Sequence, residues 1–100
     1  MRYGLKEETL ETIIDILSNE PRVEKVLLFG SRAKGTYKNG SDIDLCLEGP
    51  NLDLSVLAPL EEKLDDLLLP WKIDLVAFDL ISNQDMRDHV LRVGISLYER

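Results

Sequence analysis

This chain is poor in the residues on which several whole classes of function depend. Its 100 residues include one cysteine, Cys46, and one histidine, His89. A single cysteine excludes an internal disulfide and a cysteine-built zinc cluster. No apolar run approaches the roughly 20 residues that cross a bilayer, and nothing at the N-terminus reads as a signal peptide. A cytoplasmic protein that engages no membrane is therefore expected. Positive charge is also scarce: 12 Lys and Arg stand against 19 Asp and Glu, a net charge of -7. A protein that binds nucleic acid directly needs a basic surface to meet the phosphate backbone, so that class is disfavoured. Internal repeats, linkers and low-complexity segments are absent.

What remains is the composition of a globular domain, 44% hydrophobic and 31% charged, long enough for one modest core. A single domain over residues 1–100 is expected. Leu10, Ile13, Ile14 and Leu17 follow the spacing of one buried helical stripe and predict a helix from Leu5 to Ser18. Strands are predicted over Glu24 to Phe29, Asp42 to Glu48 and Lys72 to Phe78. A long helix is predicted from Leu54 to Leu69, with Leu57, Leu60, Leu64, Leu67 and Leu68 on its buried stripe. Pro59 fits that helix only within its first turn, because proline lacks the N–H that later turns need. Ser82 and Asp85 resemble a capping box for a last helix reaching Val93, and Ile95 to Tyr98 reads as a short edge strand. The fold class is α/β, a small mixed sheet with helices packed on it.

One segment concentrates the chemistry. Gly30-Ser31 follows the apolar run Val26-Leu27-Leu28-Phe29, and ten residues later comes Asp42-Ile43-Asp44. A small-residue turn entering a helix leaves backbone N–H groups free to hold phosphate. Ser31 is expected to cap that helix and Gly35 to stop it. Two carboxylates two residues apart on a strand point to one face and can bridge hard divalent cations. Arg32, Lys34 and Lys38 make the intervening loop cationic, and one or two of them are expected to contact phosphate. A third acid, Asp74, opens the next strand. A right-handed crossover would set that strand parallel to the one carrying Asp42 and Asp44, so the three carboxylates can converge. By alternation Cys46 shares their side, but it reads as a small buried residue. His89 reads as a surface or boundary residue, and Trp71 as an anchor for the start of the third strand. Tyr37 can stack on a base or simply face solvent.

Glycine-serine, a ten-residue gap and Asp-x-Asp resemble the signature of the DNA polymerase beta-like nucleotidyltransferase superfamily. In the form Gly-Ser-Arg-Ala-Lys-Gly, on a chain this short, they resemble the minimal nucleotidyltransferases, antitoxin partners of HEPN-domain toxins. The likeness runs from about Val23 to Tyr98. It implies the nucleotidyltransferase fold, with the first strand antiparallel to the second. It also implies ATP as substrate and two magnesium ions on Asp42, Asp44 and Asp74, with Gly30 and Ser31 holding the triphosphate. Larger relatives carry acceptor-binding domains for which this length leaves no room, so the acceptor is expected to belong to a partner. The resemblance implies a tyrosine hydroxyl of a HEPN toxin, silenced by transfer of AMP. The alternatives are an antitoxin that blocks its partner by stoichiometric binding, and nucleotidyl transfer to a small molecule such as an aminoglycoside.

Overall fold

The computed structural model describes residues Met1–Arg100. Helix α1 (Glu7–Ser18) leads to strand β1 (Lys25–Phe29), the single-turn helix α2 (Gly30–Lys34) and strand β2 (Ile43–Glu48). Helix α3 (Leu54–Asp65) crosses to strand β3 (Ile73–Ala77) and a 3-10 turn, Phe78–Leu80. Helix α4 (Gln84–Val93) and strand β4 (Ile95–Glu99) follow. The sheet order is β3-β2-β1-β4, with β1 antiparallel to β2 and β4 and with β2 parallel to β3. This is the mixed sheet expected, and β4 lies at its edge.

Side-chain alternation divides the sheet into two unlike faces. Val26, Leu28, Ile43, Leu45, Leu47, Leu75 and Ala77 point to one face, where Leu10, Ile13 and Leu17 of α1 and Val56, Leu57, Leu60 and Leu64 of α3 cover them. On the other face Leu27, Phe29 and Cys46 meet Val90 of α4 in a cluster of only 4 buried residues. Cys46 is wholly buried there, as expected, and its thiol is pushed up to about 12, mainly by burial and then by Glu48 and Asp79. No helix is long and apolar enough to cross a membrane.

Several local expectations need correction. Pro59 lies beyond the first turn of α3. The helix tolerates it because Asp53 caps its start, accepting from the Ser55 and Val56 N–H groups, and because four buried side chains hold it to the sheet. That helix ends at Asp65 rather than Leu69. Leu68 adopts a left-handed conformation (φ 53) and is 88% exposed, so it leaves the predicted stripe. Asn83, not Ser82, caps α4 by accepting from the Met86 N–H at 3.1 Å. Ser31 makes no side-chain cap, since α2 already begins at Gly30, although Gly35 does end it.

Candidate active site

Strand register builds this site. Phe29, the last residue of β1, pairs with Asp44 of β2, and Asp44 pairs with Asp74 of β3. One row across three strands therefore joins the Gly30-Ser31 turn to two carboxylates. Gly30 has φ +73, and a Cβ placed on it would run into Asp44 Oδ2. A glycine is required there on two grounds: a positive φ and a carboxylate lying directly over its Cα.

Asp44 and Asp74, both half-buried, share a depression of about 410 Å³ with Phe29, Lys72 and, from α3, Glu61 and Asp65. Asp42 stands exposed at the entrance to β2, outside that lining. The carboxyl of Asp44 is held above its usual 3.8, first by burial, then by the charges of Asp74 and Asp42 and by a hydrogen-bonding contact with Asp74. As the side chains stand, no three His, Cys, Asp or Glu groups close into a metal cage. The donor set nevertheless suits a hard cation: oxygen ligands only, on adjacent strands, with repulsion that a cation would relieve.

The cations of the loop divide sharply. Lys34 and Lys38 are exposed at its surface. Arg32, expected among the phosphate contacts, is 2% exposed and fully engaged elsewhere. Its Nη1 donates to the Tyr3 carbonyl at 2.7 Å, while Nη2 and Nε donate to the Ser41 carbonyl at 2.9 and 3.3 Å. The guanidinium lies 5.2 Å from the Tyr37 ring centroid and 5.3 Å from that of Trp71. Arg32 thus fixes the residue immediately before Asp42 instead of facing a ligand. Tyr37 packs on this arginine. Trp71 does anchor the approach to β3, with its Nε1 donating to the Asn39 carbonyl at 2.8 Å. His89 sits at a boundary, edge-on to Phe29 with ring centroids 6.1 Å apart.

Sequence reasoning missed Lys72. Its ammonium lies 3.3 Å from Asp74 Oδ1, and its pKa is raised by the hydrogen bond and charge of Asp74 and then by Asp42 and Asp44. A lysine two places before a site acid, on the alternation that aligns their side chains, was the available signal. Glu61 and Asp65 were missed as well, because on α3 they read as ordinary solvated positions.

Residues 11–100 match the family model described as Polymerase beta, Nucleotidyltransferase. A Haemophilus influenzae protein named "Probable protein adenylyltransferase MntA" is 34% identical over 99% of this chain and 87% of its own length. A crystal structure of a toxin-antitoxin with AMP-PNP superposes with a TM-score of 0.74 at 27% identity, over 96% of this chain and 75% of that one. The complex of a tri-AMPylated Shewanella oneidensis HEPN toxin with an MNT antitoxin gives a TM-score of 0.72 at 24% identity, over 96% and 74% of the two chains, a likeness of fold.

Proposed function

The chain belongs to the Polymerase beta nucleotidyltransferase family, and on that premise we propose that it transfers AMP from ATP to a tyrosine hydroxyl of a HEPN-domain toxin, acting as that toxin's antitoxin. The observation that carries this reading is the Phe29–Asp44–Asp74 row, which sets the Gly30-Ser31 turn beside paired carboxylates. The 34% identical relative named as an adenylyltransferase and the toxin-antitoxin structure with AMP-PNP support the choice of ATP and of a protein acceptor.

Asp42, Asp44 and Asp74 would hold magnesium, which when bound neutralises phosphate charge and acidifies the attacking hydroxyl. The chain's own groups supply positioning. Gly30 and Ser31 hold the triphosphate through backbone N–H groups, with Lys34 and Lys38 at the loop surface to meet its outer charge. Asp74, at the sheet edge, orients the acceptor hydroxyl. The hydroxyl oxygen gives its proton to Asp74 and bonds to the α-phosphorus as the bond to the bridging oxygen breaks, and pyrophosphate leaves.

The test is mass spectrometry of the product of the neighbouring gene, expected to be a HEPN-domain protein, after incubation with the protein, ATP and magnesium. The expected result is an adenylyl adduct on a tyrosine peptide, absent with Asp44→Asn. If Asp44→Asn neutralises the toxin as well as wild type does, stoichiometric blocking replaces catalysis. If ATP binds and no adduct forms, a small-molecule acceptor becomes the better reading.

A further inference from the structure

A second concavity adjoins the acid site. It is a groove of about 680 Å³ at the open edge of the sheet, between α3, β3 and the start of α4. Its walls are mostly apolar, and three of its side chains are unusually exposed for their type: Leu54 at 73%, Leu80 at 52% and Met86 at 39%. Scattered exposed leucines are unremarkable, but several lining one groove mark a surface that another molecule covers. Strand β3 ends the sheet order, so no further strand covers this side. Leu75, Val76 and Met86 belong to the walls of both the groove and the depression holding Asp44 and Asp74. The two concavities therefore adjoin along those residues.

We propose that this groove docks the acceptor protein, taking one or two apolar side chains of the segment that carries the acceptor hydroxyl. The inference rests on the adenylyl-transfer reading above and adds where the acceptor is gripped. The shared wall decides the occupant, because a segment anchored on Leu54 and Leu80 and continued along Leu75, Val76 and Met86 leads to the depression where the hydroxyl must arrive. Charge narrows it further. Asp85 borders the groove, and Glu61 and Asp65 border the depression, so the anchor should be flanked by Lys or Arg. Apolar contact in the groove supplies residence, and the acidic rim supplies steering and orientation.

The test uses Leu80→Arg and, separately, Leu54→Arg, both at exposed positions where arginine can be accommodated without disturbing the core. Steady-state transfer to the HEPN acceptor is measured alongside thermal shift with magnesium and AMP-PNP. Expected is a rise in KM for the acceptor of about tenfold or more, as for loss of an interface anchor, with kcat at saturating acceptor and the nucleotide-induced shift unchanged. Wild-type kinetics in both variants would overturn the groove while leaving adenylyl transfer standing. A wild type that binds AMP-PNP but transfers nothing to this acceptor would remove both readings. Light scattering provides a further check: a dimer that dissociates in Leu80→Arg with transfer intact would assign the groove to a second copy of the chain and overturn the proposal.

Discussion

The two faces of the sheet are built on different terms. On the face covered by α1 and α3, 17 buried apolar residues interlock. On the other, four buried residues suffice, and the same strands present Asp44 and Asp74 to an open depression. Alternation makes this division possible within single strands: in β2, Ile43, Leu45 and Leu47 secure the fold while Asp44 between them faces the depression. A sheet fully packed on both faces would have buried Asp44 and Asp74 without solvent or partners, at a cost of several kcal/mol each.

The largest effect should follow from Gly30→Val. Its β-branched side chain would occupy the space of the Asp44 carboxylate and resist the positive φ. Nucleotide binding should vanish, read as loss of the AMP-PNP-induced thermal shift, while far-UV circular dichroism stays native-like. A normal shift would place the phosphate elsewhere.

Next comes Arg32→Met, which tests how far these polar bonds, beside the larger core, hold the loop that leads to Asp42. The carbonyls of Tyr3 and Ser41 would lose their charged donor inside the structure, at a cost of about 4 kcal/mol in urea unfolding for two such groups. A cost under about 1 kcal/mol would mean that the loop holds itself.

The faces can also be compared directly by truncation. Leu45→Ala, in the larger core, should cost about 3 kcal/mol, and Val90→Ala, on the buried side of α4, about 2 kcal/mol, in proportion to the groups removed and the packing around them. Equal costs, or a reversed order, would show that the smaller cluster is packed more tightly than its size implies.

The smallest effect concerns pH. Because the folded protein holds the Asp44 proton more tightly than the unfolded chain does, this group favours folding most when protonated. In metal-free protein that contribution is present near the unfolded value of 3.8 and is lost as pH rises through the raised folded value. Asp44→Asn should therefore melt higher than wild type at neutral pH, with the gap closing towards pH 3.8. A gap independent of pH would mean that repulsion among the acids is not its source.

Much of this was legible in the chain because periodicity and spacing are local properties. The alternation of Ile43, Leu45 and Leu47 around Asp44 gave the strand and its faces, and Gly30-Ser31 with Asp42 and Asp44 pointed to the candidate site. What was not legible depends on distant partners. Nothing near Arg32 in the sequence announces that the carbonyls of Tyr3 and Ser41 will converge on it, so it reads as a surface charge. Lys72 looks like a strand flank until β2 and β3 are paired. Helix α3 ends at Asp65, shortly before the left-handed Leu68, and Ser82 yields to Asn83 as cap by a shift of one residue, within the tolerance of any such pattern.

The Arg32 contacts also govern how the molecule opens. Tyr3 sits at φ 57, a left-handed conformation that costs a non-glycine residue roughly 1–2 kcal/mol. It is followed by Gly4, where a Cβ would strike the Tyr37 ring and Arg32 Nη1. This tight turn is held by reciprocal hydrogen bonds between Arg2 and Leu5, and its Tyr3 carbonyl holds the arginine that clamps Ser41. The first five residues and the approach to Asp42 consequently form one cooperative unit, although 29 positions separate Tyr3 from Arg32. In native-state hydrogen exchange the amides of Leu5 and Ser41 should share one opening free energy, so fraying at the first turn would unlatch the loop before Asp42.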